Sequence, residues 1–316
     1  MTRAISVAIV AGLDDAATQL CNRELATDDV LWHAGSEWDP ALAECEVIFG
    51  NIPVNWVPSL TALRWLQLES IGFENYATVT PELRARSIEV TNLRGLFSQP
   101  VAETALAGIL ALLRGIDQLV AATAEQRWAT PEIRPGTELL SGRRVVVLGT
   151  GSIGAKLRRL FEAFDCTVVS YARESPTAEL HTLAELDAAL ATASIVASCL
   201  PGTQQTVRIF DRERLALLGD RTILVNVGRG SAVDEAALCS SLAKNALGGA
   251  VLDVTEQEPL DADSPLWLAP RTILTQHTGG GYRDELRDKA RRFLDNLAEW
   301  RVGKPLANTV NWEAGY

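Results

Sequence analysis

Histidine is scarce in this chain: three residues, His33, His181 and His277, in 316. Any imidazole chemistry therefore has few places to be. Cysteine is equally uninformative as a scaffold, with five residues at positions 21, 45, 166, 199 and 239 and no CxxC pair. An odd, scattered set excludes a zinc ribbon or a disulfide framework and fits small buried thiols in a reducing compartment, with no metal expected. Positive charge is in deficit, 29 Lys+Arg against 40 Asp+Glu for a net of −11. Such a surface repels a polyphosphate backbone, so no nucleic-acid partner is expected. Long apolar runs are missing too. The most apolar helical stretch, Val101–Leu113, is shorter than the roughly 20 residues needed to cross a bilayer, and the β-branched run near the N-terminus stops at Asp14–Asp15 without a cleavage-like pattern. No membrane partner is expected, and the cytoplasm is the expected location.

What is present suits a folded protein: 47% hydrophobic and 22% charged residues, close to the globular average. At roughly 150 residues per domain the length predicts two domains. The first ninety residues alternate short β-type runs (Ile5–Val10, Val47–Gly50, Trp65–Leu68, Glu89–Thr91) with helical or irregular stretches, the pattern of a small parallel βα domain. A helix begins at Gln99-Pro100-Val101, where proline suits a first turn, and runs to Arg114-Gly115. Residues 115–142 read as a polar excursion. Six further strands follow: Arg144–Leu148, Thr167–Tyr171, Ile195–Cys199, Thr222–Asn226, Gly249–Asp253 and Thr272–Thr275. Helical segments between them predict a doubly wound α/β sheet. The last helix, Asp284–Trp300, carries an apolar stripe at helical spacing, and the tail after it has no evident place in the second domain. The expected architecture is α/β with a discontinuous, smaller flavodoxin-like βα substrate domain (1–98 and 286–316) and a Rossmann-type dinucleotide domain (99–285).

Directly after Val145-Val146-Val147-Leu148 stands Gly149-Thr150-Gly151-Ser152-Ile153-Gly154. In a GxGxxG between strand and helix, the glycines permit a tight turn, close approach of a pyrophosphate and close helix packing, while the helix start offers amide donors. Strand, glycines, helix and second strand occur here in register, so a dinucleotide site is expected at Gly149, Gly151, Ser152, Ile153 and Gly154. An acidic residue at the end of the second strand would accept from the ribose hydroxyls of NAD. That strand instead ends Tyr171-Ala172-Arg173-Glu174. A carboxylate repels a 2′-phosphate whereas arginine pairs with it, so Ala172 and Arg173 predict NADP(H) in preference to NAD(H); Glu174, if turned inward, keeps NAD(H) open.

The remaining strand ends carry Leu200-Pro201 with Thr206, then Val227-Gly228-Arg229, Asp253 to Glu258, and His277 to Gly279-Gly280. Ligands of open α/β sheets bind at the carboxyl ends of the strands, so these segments are expected to meet one site. An arginine, a glutamate and a histidine beside a nicotinamide suffice to interconvert a 2-keto and a 2-hydroxy acid. His277 would exchange a proton with the substrate oxygen, Glu258 would hold the other ring nitrogen, and Arg229 would polarise the carbonyl and clamp the carboxylate. Taken singly, each residue also has a structural reading: a hydrogen-bonded strand-end histidine, or domain-bridging salt links for Arg229 and Glu258.

Four ordered segments, VVVLGTGSIG, ILVNVGRGSAVDEAAL, GGAVLDVTEQEPLDADSPLW and ILTQHTGGG, preceded by WLQLESIGFENY and PVAETALAGILALLRG, resemble the D-isomer-specific 2-hydroxyacid dehydrogenase family along nearly the whole chain. The resemblance implies that Arg229, Glu258 and His277 are catalytic and that Asp253 orients the nicotinamide carboxamide. It further implies that the amides of Ser70-Ile71-Gly72 bind the substrate carboxylate, with Arg229 sharing that anion, and that the first domain closes over the second. An arm around Trp128 would cross to a partner subunit, giving a homodimer. Three departures stand out. Gln276 replaces the proline before the histidine, Gly72-Phe73-Glu74 replaces Gly-Val-Asp and makes a bulkier wall, and Ala172-Arg173 replaces the NAD-type acid as in members similar to glyoxylate/hydroxypyruvate reductases. The reading is thus an NADPH-linked D-2-hydroxyacid dehydrogenase working reductively on a small 2-keto acid. The alternatives are a nucleotide-sensing corepressor, which would need an interaction tail not expected after Tyr316, and a phosphite or formate dehydrogenase. His33 and His181 receive no role, and Trp267 is expected beneath the active-site loops.

Overall fold

The computed structural model describes residues 3–312. The chain divides into two compact units, Met1–Leu96 with Tyr282–Tyr316, and Phe97–Gly281; residues 313–316, the end of the expected return segment, lie outside the described residues.

In the first unit the strands are β1 (Ser6–Ile9), β2 (Asp29–Trp32), β3 (Val47–Phe49), β4 (Trp65–Gln67) and β5 (Glu89–Thr91), with helices α1 (Asp15–Glu24) and α2 (Thr80–Ala85) between them. All pair in parallel in the order β2-β1-β3-β4-β5, the flavodoxin-like order. Four strands were expected here; β2 is the fifth, an edge strand whose side chains are exposed or only half-buried. The Asp14 side chain caps α1, accepting from Ala17 N at 2.8 Å, so the acidic pair that ends the first apolar run also starts the helix.

The second unit opens with α3 (Ser98–Arg114), α4 (Ile116–Ala124) and α5 (Thr130–Ile133). It continues β6 (Arg144–Leu148), α6 (Ser152–Ala163), β7 (Thr167–Tyr171), α7 (Leu183–Leu190), β8 (Ile195–Ser198), α8 (Arg212–Leu215), β9 (Ile223–Asn226), α9 (Glu235–Ala243), β10 (Gly249–Leu252) and β11 (Thr272–Leu274). The sheet is parallel in the order β11-β10-β9-β8-β6-β7. Beyond β7, Leu180 forms a single parallel bridge with Tyr171. That bridge occupies the place of the third strand in the usual Rossmann order 3-2-1-4-5-6. β6, β8, β9 and β10 are buried on both faces apart from Arg144, which explains their continuous Val/Ile/Leu character. Helix α3 lies close to the sheet at Gly108, where a Cβ would stand 2.5 Å from Val251 Cγ1.

The stretch expected to be a polar excursion is largely helical. It leaves Ile116, Leu119 and Val120 of α4 exposed, and Trp128 is 88% exposed. No single helix among the described residues is long and apolar enough to cross a membrane; α3 and α4 together have the length but bend by 73° at their junction.

The last helix, α10 (Glu285–Arg301), packs in the first unit. Its buried Phe293 stacks on Phe49 with centroids 4.6 Å apart and on Trp65 at 5.5 Å. After it, Val310 N donates to Val90 O at 2.9 Å, and Thr309 bridges Thr91.

Candidate active site

The glycine turn after β6 has the shape a pyrophosphate requires. Gly149 sits at φ +102° with Cys199 Sγ 3.0 Å from where a Cβ would be, and a Cβ on Gly154 would lie 1.9 Å from Gly149 O. Above Gly151, the residue that caps α6, a Cβ would meet open space. Ser152 and Ile153 form the first turn of α6, so their amides are among those with no intrahelical acceptor. A dinucleotide phosphate fits this cradle. Burial pushes the Cys199 thiol beneath it up to about 12, which favours the protonated sulfur over the thiolate.

Ala172 and Arg173 follow β7, half-buried and exposed respectively. Beyond β8, Leu200 is buried and Pro201 O accepts from Thr206 Oγ1 at 2.6 Å. Thr206 also accepts from Thr203 N at 2.9 Å, so its hydroxyl is spent on shaping the 201–206 turn.

Beyond β9, Val227 and Gly228 are buried and Arg229 is half-buried. Asn226 staples this turn: its Nδ2 donates to Arg229 O at 2.9 Å and its Oδ1 accepts from Gly228 N at 3.2 Å. A Cβ on Gly230 would stand 1.9 Å from the Thr255 carbonyl. Only glycine therefore lets the arginine turn pack directly on the turn that carries Glu258.

Glu258 and His277 form a pair, Oε2 to Nδ1 at 2.6 Å. The other carboxylate oxygen accepts from Thr255 N at 3.1 Å, so both oxygens are fixed. Asp253, 4% exposed, anchors the histidine turn. Its Oδ1 accepts from Thr275 Oγ1 at 2.5 Å and Gly279 N at 2.9 Å, and its carbonyl accepts from His277 N at 2.6 Å. Gln276 and His277 are both left-handed, at φ +52° and +57°. The lost proline is thus more than a missing rigid turn, because proline is locked near −65° and has no access to this conformation. Gly280 packs against the Phe97 ring.

A cavity of about 410 Å³ adjoins the pair, lined by Asp253, Glu258, Leu260, Trp267, Gln276 and His277 among others. Trp267 was expected beneath the loops; it lines this cavity instead, 42% exposed, with Nε1 donating to Asp261 O at 2.8 Å.

In the first unit, the loop after β4 has all three carbonyls engaged. Ser70 O accepts from Leu93 N at 3.0 Å, Ile71 O from Asn92 Nδ2 at 2.9 Å, and Gly72 O from Ser70 Oγ at 2.8 Å. Phe73, expected as a wall of the site, is buried in the core of this unit, edge-on to Trp312 with centroids 5.3 Å apart.

A nucleotide cradle after β6, with arginine, glutamate and histidine turns after β9, β10 and β11 of the same parallel sheet, defines a dinucleotide-dependent oxidoreductase. The sequence profile of the D-isomer specific 2-hydroxyacid dehydrogenase NAD-binding domain matches residues 106–279. The chain is 32% identical over 256 residues to hydroxyphenylpyruvate reductase of Plectranthus scutellarioides, 80% of each chain being covered. It is 32% identical over 282 residues to glyoxylate/hydroxypyruvate reductase B of Citrobacter koseri, covering 86% of each. A D-isomer specific 2-hydroxyacid dehydrogenase from Xanthobacter autotrophicus Py2, solved with NADPH and MES, superposes with a TM-score of 0.82 at 27% identity, over 99% of this chain and all of that one. The chain belongs to the D-isomer-specific 2-hydroxyacid dehydrogenase family. It is an NAD(P)-dependent oxidoreductase acting on a small 2-keto or 2-hydroxy acid.

Proposed function

We propose that this chain reduces small 2-keto acids of the glyoxylate and hydroxypyruvate type to D-2-hydroxy acids, with NADPH preferred to NADH. The observation that carries this reading is the Glu258–His277 pair at 2.6 Å, on strand ends shared with Arg229 and the glycine cradle. The nicotinamide, when bound, supplies hydride. A carboxylate on Nδ1 makes that atom the donor and leaves Nε2 to exchange a proton with the substrate oxygen. Arg229 stabilises the negative charge that develops on that oxygen and holds the carboxylate; the amides of Ser70, Ile71 and Gly72 are the second set of donors to that carboxylate. Asp253 positions the nicotinamide amide. Leu200, Pro201, Thr206, Val227, Gly228, Gly279 and Gly280 line the cofactor. Arg173 reads the 2′-phosphate, with Ala172 leaving room for it; the similar Xanthobacter autotrophicus Py2 dehydrogenase was solved with NADPH, which supports the same reading. Initial rates with glyoxylate, hydroxypyruvate, pyruvate and phenylpyruvate, each with NADPH and NADH, test the reading. It expects turnover of at least one of the first two with kcat/KM higher for NADPH. Tight nucleotide binding with no turnover of any of the four would favour a sensor instead.

The outward apolar residues of the 116–139 arm, Ile116, Leu119, Val120, Trp128 and Leu139, support a homodimer built through this arm, since a monomer seldom exposes such a set together. Light scattering is expected to return twice the 34.2 kDa chain mass, and a Val120→Asp/Trp128→Ser variant is expected to move toward one chain. A monomeric parent protein would overturn the assignment. Five free cysteines suit a reducing compartment such as the cytoplasm, an assignment that cell fractionation would reverse if the protein were found elsewhere.

A further inference from the structure

The chain that leaves β7 turns back along it. Ala172 N donates to Leu180 O at 3.0 Å, beside the Tyr171–Leu180 bridge. His181 therefore enters next to the end of β7, and its Nδ1 lies 2.8 Å from Ala172 O. The local backbone is fixed by a capping box at the start of α7: Glu185 Oε2 accepts from the amides of His181 and Thr182 at 2.8 and 2.9 Å, and Thr182 Oγ1 accepts from Glu185 N at 3.2 Å. In a Rossmann sheet the end of this strand carries the group that reads the ribose 2′ position. Here that residue is Ala172, and the ring bonded to its carbonyl is exposed.

We propose that His181 is a second ligand, with Arg173, for the 2′-phosphate of NADPH, and that it acts as the imidazolium. The inference rests on the NADPH reading above and deepens it. Ala172 O only accepts, so Nδ1 is a donor. A neutral ring with its proton on Nδ1 presents a bare lone pair at Nε2, which a phosphate repels; the imidazolium presents Nε2–H, a charge-assisted donor. Preference for NADPH then depends on pH.

The charged groups on the segments next to His181 are Arg173 and Glu174 on the loop after β7, Glu179, which pairs with Arg158 of α6 at 2.7 Å, and Glu185 of α7. Hydrogen bonds from the His181 and Thr182 amides hold the Glu185 carboxyl below the usual carboxylate range, so it is ionised throughout.

The test is the ratio of kcat/KM for NADPH to that for NADH, followed with one 2-keto acid from about pH 5.5 to 8.5 in the parent protein, His181→Gln, His181→Lys and Arg173→Gln, these limits spanning the imidazole range. The 2′-phosphate itself takes up a proton near pH 6, which lowers the ratio in every protein alike, so variants are compared with the parent at each pH. His181→Gln is expected to lower the ratio about tenfold near pH 6 and by less than about twofold at pH 8.5, the loss of one charge-assisted hydrogen bond at the acid end only. His181→Lys should keep a high ratio at both ends. If the His181→Gln ratios superimpose on the parent's while Arg173→Gln loses the preference, Arg173 reads the phosphate alone and the inference is overturned. If the parent prefers NADH at every pH, the NADPH reading itself fails, and this inference with it.

Discussion

His277→Ala is expected to lower kcat by about 10²–10⁴-fold, the range a positioned general acid contributes, while the dissociation constant for NADPH changes by less than about threefold, under 1 kcal/mol. The two effects separate because they arise on different turns. The phosphate cradle is made by β6, its glycines and α6, whereas the imidazole stands after β11. The turn that holds His277 is built at a cost, since two consecutive non-glycine residues sit in the left-handed region, each of order 1–3 kcal/mol. Asp253 holds it there through Thr275, Gly279 N and His277 N. Glu258 fixes the ring from the other side at 2.6 Å. So many restraints on one side chain are consistent with a proton that must be delivered to one point. Single-turnover oxidation of NADPH, with cofactor binding followed by fluorescence, checks the separation; turnover within fivefold of the parent protein would remove His277 from the chemistry.

Arg229→Gln is expected to lower kcat/KM by about 10²–10³-fold, comparable to losing one oxyanion donor. Both kcat and KM should worsen, because the guanidinium serves the charge that develops on the carbonyl oxygen and also the carboxylate present from the start. The fold supports the assignment by fixing the backbone at Arg229, through Asn226 and through the close packing of Gly230 on Thr255. Arg229→Lys should recover only part of the loss, since a point charge does not reproduce a planar fork. Steady-state kinetics on both variants decide the matter. Rates near those of the parent would return Arg229 to a structural role.

Much of the architecture was legible in the residues. β6, β8, β9 and β10 fall within a residue of where their apolar runs predict, because strands covered on both faces carry an unbroken apolar signal. β2 left no such mark: Asp29-Val30-Leu31-Trp32 lies at a sheet edge with no fully buried side chain. Helix α4 escaped for a related reason, since Ile116, Leu119 and Val120 face outward and offer no inward stripe. The candidate site residues could be named from motifs, but their support could not. Gln276 carries no sign of a positive φ, which depends on what holds the chain at Asp253 rather than on glutamine itself. Phe73 looked like a pocket wall, and Trp312, more than two hundred residues away, turns it into core. His181 seemed idle because its partner is a backbone carbonyl, and a carbonyl is the same whatever residue bears it.

The most direct test of the central claim is the configuration of the product. Phenylpyruvate or hydroxypyruvate is incubated with the purified chain and NADPH, and the 2-hydroxy acid is resolved by chiral chromatography against NADPH consumed. One equivalent of the D-isomer per NADPH is expected. The L-isomer or a racemate would contradict membership of the reaction class, and NADPH consumption without any 2-hydroxy acid would contradict the proposed chemistry of the site.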